Sequence, residues 1–132
     1  MHRQFLANIS LLVRDYDEAI EYYTQKLGFQ LIEDTPLSPE KRWVRVAPPG
    51  SKETALLLAK AASPEQIQHI GQQTGGRVFL FLKTNQFWTD YERMKALGVT
   101  FVETPRSESF GDVVVFKDLY GNKWYLIEDK PL

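Results

Sequence analysis

The fold is decided by residues 11–29, which read LLVRDYDEAIEYYTQKLGF. Apolar residues alternate with others in the stretch before Asp15, as they do in a β-strand with one buried face. Asp15 is a candidate helix N-cap because Glu18 follows three residues later, and apolar side chains then recur at helical spacing until Gly28. The stretch therefore predicts a strand that leads directly into a helix.

Working outward, the first half of the chain continues with short strands separated by polar turns. The pattern predicts the first strand at 5–13 and the later ones at 29–33, 42–46 and 54–59. The first half therefore reads as a strand, a helix and three strands, abbreviated βαβββ.

The same order restarts in the second half. Gly98 ends a predicted helix as Gly28 does, and the two glycines are 70 residues apart (98 − 28). Asn85 is the candidate cap of that second helix. Chance recurrence is the alternative, since helix stops and turns draw on few residue types. Matching elements flank the matching residues, which favours duplication. The second-half helix is predicted at 86–96, and its strands at 77–84, 99–103, 113–117 and 123–128.

The organisation predicted from this repeat is a single soluble domain over 1–132. Module 1 spans about 5–60, a linker covers 61–76 and module 2 spans about 77–129. The linker holds a possible short helix and ends in two consecutive glycines, which favour a turn.

The composition and net charge of the chain restrict the classes of partner that it is expected to bind. Lysine plus arginine number 16 against 17 aspartate plus glutamate, so the net charge of -1 gives no reason to expect nucleic acid or an anionic membrane as partner. The chain has no cysteine, which excludes disulfides and thiolate metal sites and fits a reducing compartment. No signal peptide or apolar run of spanning length is evident. We therefore expect a cytoplasmic protein with no nucleic-acid or membrane partner.

Two stretches carry a family resemblance. Residues 11–29 and the closing FKDLYGNKWYLIE at 116–128 resemble the glyoxalase, bleomycin-resistance and extradiol-dioxygenase proteins, the vicinal oxygen chelate superfamily. The resemblance implies an α+β fold in which two tandem βαβββ modules form curled mixed sheets around a shared cavity, with the helices outside. It also implies a homodimer, and free sheet edges are consistent with that. The modules pair either within one chain or between two swapped chains.

The resemblance also implies where a metal would bind. Metal-dependent members take ligands from the first and last strands of each module, and the matched positions here are Asn8, Phe79, Tyr125 and a residue near Leu56. None of these is a usual donor for a divalent metal. His2 and His69 lie outside those strands and are expected to be solvated. We therefore predict no metal and no cofactor.

Strand alternation suggests what would line the cavity instead. In 77–83 the aliphatic residues pack under the helices, which leaves Arg77, Phe79, Phe81 and Lys83 on the opposite face. An aromatic lining with a few polar groups suits a flat or partly apolar ligand. The alternative is that the aromatic side chains are structural filler. The predicted ligand-binding residues are Asn8, Trp43, Arg77, Phe79, Phe81 and Tyr125.

Two arginines on one predicted strand are candidates for a carboxylate clamp. Arg42 and Arg45 are three residues apart on one strand, which puts them on opposite faces and argues against joint action. Two function classes follow. The first is a bleomycin-resistance-like protein that binds a small apolar or aromatic molecule without a metal. The second is a metal-dependent lyase, isomerase or dioxygenase with atypical ligands, for which the sequence identifies no catalytic residue.

Overall fold

The computed structural model describes residues 1–130 and separates into two compact units. The first is Met1–Ile70, and the second begins at Gly71. The division falls inside the stretch assigned to the linker, and each unit holds one module in which a strand and a helix are followed by further strands, three in the first unit and four in the second. Among the described residues, no helix has both the length and the apolar character that crossing a membrane requires.

The first unit contains a four-stranded mixed sheet. Its elements are β1 (Asn8–Val13), α1 (Tyr16–Glu21), β2 (Gln30–Pro36), β3 (Arg42–Ala47), β4 (Ala55–Lys60) and α2 (Pro64–Gln68). The strand order is β1-β4-β3-β2. β1 runs parallel to β4, whereas β3 is antiparallel to both of its neighbours. The first and last strands of the module are therefore adjacent.

The first helix begins and ends as the sequence predicts. The side chain of Asp15 accepts a hydrogen bond from the backbone N–H of Glu18 at 2.9 Å. After α1 the helix widens into a π-helical turn over Tyr22–Lys26. Gly28 then has a φ of 79°, a left-handed conformation that glycine adopts without steric penalty.

One face of this sheet packs under α1, which contacts β3 and β4. The side chains that alternate onto that face are completely or almost completely buried: Leu11, Val13, Val44, Val46 and Leu58. On the helix side, Tyr23 is fully buried, whereas Ile20 is half-buried. The opposite face is called here the helix-free face.

The second unit repeats the plan with one more strand. Its elements are β5 (Val78–Thr84), α3 (Phe87–Ala96), β6 (Thr100–Phe101), β7 (Arg106–Glu108), β8 (Gly111–Lys117) and β9 (Lys123–Glu128). The order is β5-β9-β8-β6, with β7 also paired to β8. Here too the module's first and last strands are adjacent and parallel. The strand predicted at 99–103 is shorter in the structure, and β7 was not predicted.

A chain of aromatic contacts joins α3 to its sheet. The ring of Tyr91 lies 4.8 Å from Phe101, and Phe101 lies 6.2 Å from Phe116. Phe116 stacks on Trp124 at 5.8 Å between ring centroids. Tyr91 and Met94 of α3 are both buried. These contacts identify the face of the second sheet that packs under its helix.

The predicted cap of α3 is wrong. Gln86, not Asn85, occupies the N-cap position, and its side chain makes no capping hydrogen bond. The hydroxyl of Thr84 instead accepts from the backbone N–H of Gln86 at 3.0 Å and donates to Asp90 Oδ2 at 2.6 Å. The last residue of β5 therefore satisfies the backbone N–H of the N-cap residue and ties it to Asp90 of α3, without replacing the missing cap.

Candidate ligand-binding site

The helix-free face of the first sheet carries a polar pair that spans three strands. Arg45 of β3 pairs with Leu57 of β4, which pairs with Ser10 of β1. The Arg45 side chain extends across β4, and its Nε donates to Asn8 Oδ1 at 2.7 Å. Arg45 Nη1 also lies 3.8 Å from Glu33 Oε1 on β2. A guanidinium is thus held at the position that the sequence matched to a metal ligand.

The residues around Asn8 do not fit a divalent metal. The amide oxygen is a weak neutral donor, and here it already accepts a hydrogen bond from a cation. A fixed positive charge within hydrogen-bonding distance of a ligand atom repels a metal ion. Within residues 1–130, no three His, Cys, Asp or Glu side chains are grouped as metal ligands would be.

An open pocket of about 850 Å³ lies where β3 and β4 diverge. The β3–β4 ladder covers Val44, Arg45 and Val46 and does not extend to Trp43. Trp43 pairs only with Thr35 of β2. A volume of several hundred Å³ is typical of small-molecule sites. Side chains from the sheet, the 38–41 turn and the α2 region line it: Tyr16, Ser38, Glu40, Lys41, Arg42, Trp43, Leu57, Leu58, Ala59, Lys60, Ala61, Ala62 and Gln66.

Arg42 at the pocket wall is committed to structural contacts. Its guanidinium donates to both carboxylate oxygens of Asp34, at 3.1 and 2.7 Å, and to Asp17 at 2.9 Å. It also lies over the ring of Tyr16, 5.1 Å from the centroid. The hydrogen bond from Arg42 lowers the pKa of Asp34, against the opposing effect of desolvation. Arg42 and Arg45 therefore lie on opposite faces, as predicted.

Trp43 is the more exposed of the two aromatic residues in the pocket lining, the other being Tyr16. Trp43 is half-buried, and strand alternation puts it on the same face as Arg45, two residues away. Lys41 and Lys60 add exposed ammonium groups to the lining, and Glu40 adds one carboxylate. The pocket therefore combines an aromatic surface with an excess of positive charge.

The second sheet carries an aromatic pair of its own. Phe81 and Tyr125 are partners in the β5–β9 ladder, and their rings meet edge to face at 5.0 Å. Phe81 is 62% exposed. Hydrogen bonds, first to Glu103 and also to Tyr125, raise the pKa of Arg106. Arg106 Nε lies 3.2 Å from both carboxylate oxygens of Glu103.

Phe79 does not join that pair, because a β-bulge interrupts the alternation on which its prediction depended. Val78 pairs with Lys123 and Leu80 pairs with Trp124, which leaves Phe79 as the extra residue. Its ring contacts buried Trp124 edge to face at 6.0 Å. The alternation predicted for 77–83 is therefore wrong at Phe79, although it holds for Phe81.

Arg77 is exposed and precedes the first residue of β5. Neither histidine is among the residues that line the pocket: His2 is exposed at the terminus, and His69 Nδ1 lies 2.8 Å from the carbonyl oxygen of Glu65. Sequence reasoning considered Arg45 only as half of a clamp and missed its contact with Asn8, because Asn8 is 37 residues away and two strands distant. An arginine two residues from Trp43 on a half-buried strand was the available signal.

Comparison with known proteins gives a consistent result. The family model described as the Glyoxalase/Bleomycin resistance protein/Dioxygenase superfamily matches residues 5–126. An uncharacterized protein of Shewanella frigidimarina (strain NCIMB 400) is 54% identical over 127 residues, which cover 96% of this chain and 94% of that protein.

Two solved structures are similar over nearly their whole length. UcmS2 has a TM-score of 0.82 and 32% identity, covering 96% of this chain and 98% of that chain. TnmS3, an antibiotic binding protein from Streptomyces sp. CB03234, has a TM-score of 0.78 and 28% identity, covering 98% and 99% of the two chains. The resemblance drawn from the sequence and the α+β fold are both confirmed.

Proposed function

The chain belongs to the Glyoxalase/Bleomycin resistance protein/Dioxygenase superfamily, and we propose that it binds a small apolar or aromatic molecule without using a metal. The observation that carries the proposal is the hydrogen bond from Arg45 Nε to Asn8 Oδ1, which puts a cation at a matched metal-ligand position. The nearby pocket, with Trp43 in its wall, offers a stacking surface for the ligand.

The similarity to TnmS3 supports a binding role over catalysis. That protein is described as antibiotic binding, and it is 28% identical to this chain at a TM-score of 0.78. A protein that sequesters a toxic molecule needs a complementary pocket and no reactive group. On this proposal Trp43 supplies the main contact surface and Asn8 acts through the arginine that it orients.

The second module offers a separate contact surface. The edge-to-face pair of Phe81 and Tyr125 is an exposed aromatic patch of the kind that binds apolar molecules. Arg106 adds a charged group beside Tyr125. Phe79 and Arg77 remain ligand contacts only as a prediction, because neither lies against this pair.

We also propose a homodimer in the cytoplasm. β2 lies at one edge of the first sheet and every one of its residues is exposed, so a sheet edge is available for pairing. The lack of cysteine fits the cytoplasm. Light scattering on the purified chain tests the assembly: a mass of 15.3 kDa at high concentration contradicts the dimer.

The binding proposal is tested by isothermal titration calorimetry, with the neutral bicyclic aromatic molecule 2-naphthamide as the ligand. We expect saturable binding by the native chain and a loss of at least about fivefold in affinity for Trp43→Ala. Trp88→Ala is the matched control, because Trp88 is a 51% exposed tryptophan on α3, outside the pocket lining. Equal losses in the two variants would contradict the pocket assignment.

A second measurement separates binding from the metal-dependent alternative. The purified protein is incubated with Zn²⁺, Mn²⁺ or Ni²⁺, dialysed and subjected to elemental analysis. We expect less than a stoichiometric amount of each metal. One tightly held ion per chain, lost in an Asn8→Ala variant, would return the protein to the lyase, isomerase or dioxygenase class.

A further inference from the structure

Arg45 has hydrogen-bonding capacity to spare. A guanidinium carries five N–H donors in a rigid fork. Among the described residues, the hydrogen bonds of Arg45 use Nε alone, to Asn8. Nη1 is 3.8 Å from the Glu33 carboxylate, which is an ion pair but too long for a hydrogen bond. The terminal Nη groups are therefore available to an added acceptor.

The position of this fork relative to Trp43 is fixed by the strand. Two residues that are two positions apart on one strand share a face, and their Cα atoms lie about 6.6 Å apart. The Arg45 side chain is only 22% exposed, and Asn8 holds its Nε, so its orientation is restricted. Arg45 lies outside the pocket lining, so a bicyclic ring stacked on Trp43 meets it only through a substituent that points along β3 toward Arg45.

From this arrangement we propose that the ligand is an aromatic acid, with its ring on Trp43 and its carboxylate on the Nη groups of Arg45. The inference rests on the proposed binding function and narrows its ligand class. Guanidinium and carboxylate match geometrically and form two parallel hydrogen bonds. The excess of lysine over acid in the pocket lining favours the same charge.

Glu33 is the group that opposes such a ligand. It pairs with Arg45 in the β2–β3 ladder, and its side chain is 42% exposed. An ion pair this exposed is weak, so a ligand carboxylate at closer range replaces it. The remaining Glu33 charge nevertheless repels an anion. Removing that charge should therefore strengthen binding of an aromatic acid, whereas removing Arg45 should weaken it.

The test compares 2-naphthoate with its neutral analogue 2-naphthamide near neutral pH. In the native chain we expect 2-naphthoate to bind about tenfold more tightly, as a charge-assisted pair predicts. Arg45→Gln should abolish that preference, with a larger loss of affinity for 2-naphthoate than for 2-naphthamide. Glu33→Gln should raise 2-naphthoate affinity about threefold. Arg14→Gln is the control: it removes an arginine that pairs with Glu18, and it should change the affinity for neither probe.

The outcomes distinguish the two proposals. Equal binding of both probes, unchanged by Arg45→Gln, would overturn the aromatic-acid assignment and leave the binding function standing. Binding of neither probe by any variant would overturn both. Glu33→Gln lies on an exposed edge strand and keeps the test valid if Arg45→Gln fails to fold, since an unchanged or weaker 2-naphthoate affinity there also contradicts the assignment.

Discussion

Arg42 and Asp34 form a two-point ion pair across β3 and β2, with Nε–Oδ1 at 3.1 Å and Nη2–Oδ2 at 2.7 Å. The same guanidinium donates to Asp17 of α1 at 2.9 Å. The backbone N–H of Arg42 donates to the hydroxyl of Tyr16 at 3.2 Å. One arginine thus fastens the helix and the β2–β3 hairpin together beside the pocket.

This ion pair predicts a pH-dependent stability. The hydrogen bond from Arg42 lowers the pKa of Asp34 in the folded chain, so the contribution is fully present above the unfolded value of about 4. It is lost as the pH falls through the lower, folded pKa. We expect Asp34→Asn to reduce the free energy of unfolding by about 1 kcal/mol at neutral pH. Urea denaturation across a pH series measures the difference.

Asp17→Asn is the matched control, because the Asp17 side chain is 79% exposed and contacts Arg42 through one oxygen. It should lower stability by less than Asp34→Asn does. The assignment would be contradicted if the difference in free energy of unfolding between the native and Asp34→Asn chains stayed constant as the pH fell below about 4.

The turn before β9 predicts a larger effect. Asp118 is 5% exposed, and its Oδ1 accepts from the backbone N–H groups of Tyr120 at 3.0 Å and Asn122 at 2.9 Å. Its Oδ2 accepts from Asn122 Nδ2 at 3.1 Å. Asp118→Ala leaves these buried donors unsatisfied, so we expect a loss of about 2–4 kcal/mol, measured by chemical denaturation. Exposed Asp129→Ala should change stability little, and an equal loss there would refute the argument.

Much of this fold was predictable because its signals are local. Asp15 caps α1, and Gly28 and Gly98 end the two helices with positive φ values. Each of these features depends on residues within one turn of the chain. The two glycines, together with the matching strands and helices that flank them, predicted the duplication.

The features that sequence reasoning missed depend on strand pairing. The bulge at Phe79 exists only because β5 and β9 shift register, and no residue type signals it. Arg45 contacts Asn8 only because, in the strand order β1-β4-β3, a single strand separates β1 from β3 although the two are far apart in sequence. Alternation correctly separated the faces of Arg42 and Arg45, but it did not show which polar groups each arginine would meet.

Gly71 provides a prediction about backbone geometry. A Cβ added there would lie 2.0 Å from the carbonyl oxygen of Tyr120, and the residue has a φ of 79°. Gly71→Ala must therefore displace backbone as well as adopt a strained conformation, and we expect a loss above about 2 kcal/mol in chemical denaturation. Gly75→Ala is the control, with a φ of 67° and no atom within 4 Å of the added Cβ. A Gly71→Ala loss no larger than the Gly75→Ala loss would contradict the clash.

The last prediction decides whether Trp43 is a ligand contact or structural filler. Trp43 is half-buried in a pocket wall, whereas Trp124 is 2% exposed and stacks on Phe116 in the core. Removing a fully packed tryptophan typically costs about 3–5 kcal/mol. We therefore expect Trp124→Ala to lose that much stability and Trp43→Ala to lose less than about 1.5 kcal/mol, by thermal and urea denaturation. A loss for Trp43→Ala as large as for Trp124→Ala, with 2-naphthamide affinity unchanged, would mean that the ring fills space and does not serve binding.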